Sequence, residues 1–269
     1  MAKTKKIKKE KLSGSAGFET YYRTMFGERW SKLKAALLEP VSHMSLRERL
    51  RAPYFLDKAS YWATSVLPQI EGGSCLDMCA APGGKSLVLM TKILSNTTLL
   101  QANEFSRSRR ARMQKVLSEC LDEAQQARIK ISGFDGSIMC KHERAAYERI
   151  LLDAPCSSER HVLGSEKYLA QWTEARIKNL AMRQWSLLSS AFLLLKAGGF
   201  LLYSTCALSE AENDCVIDKL LAKYSEAEIV SLAPFENAET TRYGLIFLPD
   251  TSGAGPLYAA LIGKKCSSS

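Results

Sequence analysis

From about residue 73 onward, short strand-forming runs alternate with longer helix-forming ones, and this alternation limits the fold more than any other feature of the chain. "GSCLDM", "TTLLQANEF", "ARIKISGF", "YERILLDAP" and "GGFLLYSTC" read as strands; segments near 84–94, 106–120, 174–197 and 209–223 read as helices. Parallel strands need a crossover and a helix supplies it, so the pattern implies an α/β fold with a mostly parallel sheet covered by helices on both faces. "AEIVSLAP" and "GPLYAALIGKK" add two more strands, seven in all. No helix separates these two, so the last is expected to run antiparallel.

In such a sheet, ligands sit beyond the carboxyl ends of the strands. The first strand runs into Asp77 and the Gly83-Gly84 turn, and the second into Glu104, at the distance where a ribose-binding acid belongs. The third ends near Asp135, the fourth in Asp153-Ala154-Pro155-Cys156, and the fifth in Ser204-Thr205-Cys206. Each alone has a plain explanation: Glu104 as a surface residue before a helix, Asp135 as a turn cap, Cys156 or Cys206 as buried filler. Together, at five successive strand ends, they suit a nucleoside, with acids for ribose and base and a glycine turn for close approach.

The turn itself, "LDMCAAPGGKS", ends like a phosphate-binding P-loop. That loop needs a glycine where Cys79 stands, so that successive N–H groups can cradle phosphates. Ala80 and Ala81 stiffen the turn and Pro82 has no N–H to give. A G-x-G-x-x-G dinucleotide turn is missing too. A nucleoside without phosphates fits best, and S-adenosylmethionine is such a cofactor.

The net charge of +9 points to an anionic partner. Six lysines stand between Lys3 and Lys11, and Arg107, Arg109, Arg110, Arg112 and Lys115 follow on one helix; a solvated tail and a solvated helix face are the competing explanation. Residues 1–16 are expected to be a disordered basic tail. Phe18, Tyr21, Tyr22, Met25, Phe26, Trp30, Leu33 and Leu37 form a helical stripe, so 17–70 is expected to be a helical extension packed on a domain spanning 71–265. No apolar run is long enough to span a bilayer. The amino end has no secretory apolar stretch and no arginine before Arg23, which favours the cytoplasm over a mitochondrial address. The eight cysteines are therefore expected to be free thiols; with no CxxC pair, and with His43, His142 and His161 away from zinc spacing, no metal is expected.

"DMCAAPGGK", "LLDAPCSSERH", "LLYSTCALSEAEND" and "GPLYAALIGKK" resemble the NSUN/RsmB-type RNA cytosine-5 methyltransferases from about Phe55 to Lys264. The "SERH" variant and "ETYYRTMFGERWSKLKAALL" look most like the compact branch that includes the mitochondrial ribosomal RNA enzyme. The resemblance implies a Rossmann-like class I S-adenosylmethionine-dependent fold. It implies that Cys79, Ala80, Ala81, Pro82, Gly83, Gly84 and Lys85 hold the methionine end of the cofactor, Glu104 the ribose and Asp135 the adenine. It implies Cys206 as nucleophile, Cys156 as the helper of release, and Asp153 at the cytosine edge and beside the cofactor; the Lys85 charge is expected to lower a nearby thiol pKa and to orient Asp153. In DNA cytosine-5 enzymes the attacker belongs to the Pro-Cys pair, here Pro155-Cys156; Cys206 in "YSTCALSE" favours RNA. Ribosomal RNA is the first expected substrate and transfer RNA the second, with an assembly factor of dispensable methylation as another reading. A monomer without membrane contact is expected, and a ribosomal or RNA-targeting protein partner is admitted.

Overall fold

A computed structural model describes residues 12–266. Most of the basic tail expected over residues 1–16, and all six of its lysines, lie outside the described residues. Helix α1 (Gly14–Phe26) starts inside the last part of that span. Gly27 stops α1 at φ 58°, with its N–H on the Arg23 carbonyl, and α2 (Arg29–Leu38) turns back from there. The aromatic stripe is why the pair docks: Phe18, Tyr22, Trp30, Leu33 and Leu37 are buried together against Val162, Trp172, Ile177 and Leu208. Each such burial contributes roughly 1.5–3 kcal/mol. Arg29 fixes the other end, bonding both oxygens of Asp250 and both of Glu239.

The extension is not helical throughout. Strands β1 (His43–Leu46) and β2 (Tyr54–Asp57) pair antiparallel before α3 (Lys58–Ser65), which Asp57 caps through Ala59 N and Ser60 N. This hairpin lacks the clean apolar alternation that marks a strand in sequence; its burial comes from packing on the main domain.

The main domain follows the alternation: β3 (Ser74–Asp77), α4 (Gly84–Val88) continued by a π-helical turn over Leu89–Ile93, β4 (Leu99–Asn103), α5 (Arg107–Cys120), the single turn α6 (Glu123–Gln126) and β5 (Ile129–Ser132). Then come β6 (Tyr147–Asp153), the short α7 (Glu159–Leu163) and α8 (Glu166–Ala170), α9 (Glu174–Leu194), β7 (Leu195–Thr205) and α10 (Asp214–Lys223). The chain closes with β8 (Ala227–Val230), β9 (Glu239–Thr240), β10 (Leu245–Phe247), the turn α11 (Pro249–Ser252) and β11 (Leu257–Lys264).

Strands β5-β4-β3-β6-β7 run parallel and β11 joins antiparallel, as expected. The sheet has nine strands where seven were expected. Seven form the continuous order β5-β4-β3-β6-β7-β11-β8; β9 and β10 form a hairpin on Leu257–Ala259 of β11, beside β8 on Leu261–Lys264. Two- and three-residue strands carry too short a pattern to read in advance. One apolar core lies between the sheet and α3, α4 and α5, the other under α9 and α10. Because the strands are parallel and in register, Asp77, Asn103, Ser132, Asp153 and Thr205 all finish at one rim.

Candidate active site

The β3–α4 turn is built for close approach. Gly83 sits at φ 111°, a left-handed conformation that disfavours a side chain, and a Cβ on Gly84 would meet the Tyr54 ring at 2.8 Å. Ala80 N donates to the Asn103 carbonyl, which ties the turn to the next strand. Asn103 extends the tie: its Nδ2 donates to the Met78 and Phe134 carbonyls, and its Oδ1 accepts from Phe134 N and Ser132 Oγ. One buried amide thus fixes three strand ends. Sequence reasoning passed over Asn103, although its place one residue before Glu104 was a usable signal.

A pocket of about 220 Å³ opens over this turn, lined by Cys79, Ala80, Ala81, Pro82, Gly84, Lys85, Asp77 and Asp153, with Tyr54, Phe55 and Asp57 from the hairpin. Gly83 shapes the turn without lining the pocket. Glu104 and Asp135 line neither this pocket nor its neighbour, yet both stand at the rim. Glu104 is buried; its Oε1 accepts from Ser106 N, while Oε2 accepts no hydrogen bond and has only Arg109 Nη1 3.3 Å away. An orphaned buried carboxylate oxygen is a receptor for a ligand hydroxyl, so the residues fit a ribose there. Asp135 does cap a turn, accepting from Ser137 N and Ser137 Oγ through one oxygen. Burial, and then the charges of Asp77 and Glu104, push the Cys79 thiol far up, which makes it packing rather than a nucleophile.

The adjoining cleft, about 760 Å³, holds Lys85, Asp153, Pro155, Cys156 and Cys206, with Arg109, Arg160, His43 and His161 around it. The Cys156 and Cys206 sulfurs stand 2.7 Å apart, and both cysteines are free. Ser158 Oγ reaches Cys206 Sγ at 3.3 Å. Contact with the Cys206 sulfur first, and burial second, hold the Cys156 thiol well above its ordinary pKa. Lys85 Nζ donates to Asp153 Oδ2 at 2.8 Å and to Ser60 Oγ at 3.2 Å, and Ser204 Oγ donates to Asp153 Oδ1. Burial pulls the Lys85 ammonium down, but Asp153 more than offsets it, so Lys85 stays charged. The structure therefore brings Lys85, Asp153, Cys156 and Cys206 into one cleft.

Two of the arginines on α5 have structural tasks. Arg109 donates to the Ala81 carbonyl and Arg110 to the Glu104 carbonyl, bracing the glycine turn and the Glu104 corner. Sequence reasoning also missed Asp57, Ser60 and Arg160; the last holds the Gly255, Leu37 and Glu39 carbonyls around the cleft. Among the described residues there is no cluster that could hold a metal ion, and no helix is long and apolar enough to cross a membrane.

Residues 64–263 match the family model described as 16S rRNA methyltransferase RsmB/F. The chain belongs to this family. Its curated relatives include the mouse mitochondrial tRNA (cytosine(34)-C(5))-methyltransferase, 34% identical over 81% of this chain and 65% of that one. Another is the Xenopus laevis 5-cytosine rRNA methyltransferase NSUN4, 32% identical over 76% of this chain and 54% of that one. The ribosomal RNA small subunit methyltransferase F of Aeromonas salmonicida is 40% identical over 71% of this chain and 41% of that one. The chain thus spans between two fifths and two thirds of these relatives' length. A methyltransferase homolog protein from Pyrococcus horikoshii superposes with a TM-score of 0.72 at 22% identity, over 95% of this chain and 96% of that one. That likeness is one of fold: the mostly parallel sheet flanked by helices.

Proposed function

We propose that the chain transfers a methyl group from S-adenosylmethionine to carbon 5 of cytosine in RNA, with ribosomal RNA as first substrate. The observation that carries this is the pair of sulfurs 2.7 Å apart beside the Lys85–Asp153 ion pair. With its methionine end in the smaller pocket, the cofactor would supply an electrophilic methyl group. The turn Cys79 to Lys85 and Asp153 would hold its methionine end, Glu104 its ribose and Asp135 its adenine.

Carbon 5 of cytosine is a poor nucleophile until a thiolate adds at carbon 6. Cys206 forms that bond, the proton its thiol gives up is matched by one taken up at nitrogen 3, and Asp153, held by Lys85, bonds that protonated ring edge. Once the Cys206 sulfur is bound to carbon, its hydrogen-bond contact with the Cys156 thiol, the first cause of that thiol's raised pKa, is weakened, and burial remains as the second. Cys156 then gives its proton to solvent in the open cleft and takes the proton from carbon 5; the carbon 5–carbon 6 double bond re-forms, the carbon 6–sulfur bond breaks, and Cys206 leaves as thiolate. The target cytosine has to be unstacked to enter the cleft.

We assign residues 71–265 to the catalytic domain, residues 17–70 to an extension, and the whole to a cytoplasmic monomer. The mitochondrial address in the mouse relative's name supports the other compartment, and its substrate supports transfer RNA as second reading. Bisulfite sequencing of total RNA from cells with and without the gene tests the substrate. Loss of one protected cytosine in ribosomal RNA is expected; loss in transfer RNA moves the assignment, and no loss leaves the assembly-factor reading. For the mechanism, Cys206→Ala should abolish methylation, while Cys156→Ala should accumulate a protein–RNA adduct stable in hot detergent. Trapping by Cys206→Ala instead would reverse the roles.

A further inference from the structure

Behind the two cysteines lies a fully buried pair of acids that the reaction above does not use. Glu159 and Glu212 are both 0% exposed, and no lysine or arginine among the described residues bonds either one. Glu159 follows Cys156 on its loop, yet its Oε2 accepts from Leu208 N, two residues past Cys206, at 3.1 Å. Glu212 follows Cys206 on the other loop, yet its Oε1 accepts from Ser157 N, next to Cys156, at 2.9 Å. Each cysteine loop therefore has a backbone N–H held by the carboxyl group of the other.

Ser157 Oγ lies between the two acids, in contact with Glu159 Oε1 and with Glu212 Oε2. A hydroxyl has one hydrogen, so only one of these contacts can be its donation. The other has to be a carboxyl O–H donating to Ser157. The remaining partners identify the protonated acid. Glu159 accepts from Tyr22 OH on α1, from Ser157 and from Leu208 N, three donors that suit an anion. Glu212 accepts from Ser157 N and from Gln184 Nε2 of α9 through one oxygen, leaving Oε2 free to carry the hydrogen. The proton chain runs from Glu212 through Ser157 to Glu159. Burial first, and the Glu159 charge second, push Glu212 up to about 7, in keeping with that order. The titratable groups around the pair are Tyr22 and Tyr21 on α1, Tyr203 on β7 and the two cysteines, none of them a cation at neutral pH.

We propose that Glu159 and Glu212 form a reciprocal latch, bridged by Ser157, that sets the Cys156 loop against the Cys206 loop. Both are positioning residues: they touch neither substrate nor cofactor and act through the thiols. Through Tyr22 the latch also ties the amino-terminal helices to the cysteine loops. The inference rests on the reading that the two thiols work together, so its test reads thiol register without methyl transfer.

The register is read from the Cys156–Cys206 disulfide in glutathione buffers, where glutathione disulfide takes the two electrons and becomes two glutathione thiols. Peptide mapping assigns the bond, with Cys156→Ser as blank. Glu212→Gln keeps an acceptor for Ser157 N and a donor toward Ser157 Oγ, and should stay within about threefold of wild type near pH 6. Glu212→Ala should lower the effective concentration of the thiol pair roughly tenfold or more. As the pH rises from about 6 to 8.5, wild type should fall relative to Glu212→Gln, because only wild type loses the shared proton. Should Glu212→Ala fail to fold, Ser157→Ala, which removes only the bridge, carries the test, with loss of register expected. A folded Glu212→Ala or Ser157→Ala with the wild-type disulfide equilibrium overturns the latch, as does a Glu212→Gln protein with the wild-type pH response. Lost register in a chain that methylates no RNA leaves the latch standing and removes the methyltransferase reading instead.

Discussion

Two acid systems border the cysteine pair, and they are neutralised by different means. Asp153 faces the cleft and meets a cation, Lys85, with Ser204 on its second oxygen. Glu159 and Glu212 lie behind the cleft with no cation and share a proton through Ser157. A cation against Asp153 balances its charge and holds its orientation, which suits the proposed contact with a protonated base edge. A shared proton removes charge where nothing outside is to be met, and two bare carboxylates at that depth would cost several kcal/mol. The difference separates a group arranged for a ligand from groups arranged for the protein itself.

The largest effect expected is at the first system. Lys85→Met leaves Asp153 without its counter-charge and without the contact that orients it, so it no longer presents its oxygens to the ring edge as proposed. A drop of about 10²–10³ in single-turnover methylation is expected, the usual result of removing one oriented charge partner. Lys85→Arg, with a different donor geometry, should recover part of it. Full activity in Lys85→Met would make the ion pair structural and erase the contrast with the proton-linked pair.

The second system should show itself in stability against pH. Glu212 has a folded pKa of about 7, above the unfolded value near 4.3, so its contribution is complete below pH 4 and is lost as the pH climbs through 7. Between those values the folded state binds one more proton than the unfolded one, and stability falls by up to about 1.4 kcal/mol per pH unit. Urea unfolding of Glu212→Gln should show a shallower decline over that window, and its advantage over wild type should grow with pH. Parallel curves for the two proteins would place the shared proton elsewhere.

How far each system was legible in the sequence follows from what holds it together. The strand-helix alternation gave away the sheet, and parallel register then forced Asp77, Glu104, Asp135, Asp153 and Cys206 to one rim, so those positions could be read in advance. The Lys85–Asp153 contact joins residues 68 apart, a distance no local pattern encodes. The latch is harder still. Glu159 and Glu212 look like solvent-facing acids in "SSERH" and "SEAEND", and it is tertiary packing, with Tyr22 and Gln184 as partners distant in sequence, that makes them buried. The β1–β2 hairpin escaped notice for the same reason, since its burial is supplied by the domain it covers.

Asp77 gives the smallest expected effect and the sharpest check on the comparison, because no cation bonds it and it shares no proton, Lys85 acting on it only through space. It is wholly buried; Ser86 Oγ donates to its Oδ2, and its Oδ1 has no partner. Burial pushes its pKa up to about 7 against the help of Ser86, with the Asp153 charge adding to the rise. Below that pH it is already neutral, so Asp77→Asn, nearly the same shape and never charged, should change stability by less than about 1 kcal/mol near pH 5.5. Above pH 7 wild type has to bury a charge that the asparagine protein does not. The sign is therefore the same as for Glu212→Gln, and Asp77→Asn should become the more stable protein as the pH rises past 7. Calorimetric melting at about pH 5.5 and 8.5 separates the outcomes. A loss at both values would mean that Asp77 is ionised throughout and that Lys85 serves it as well as Asp153, making the two rim acids one system instead of two.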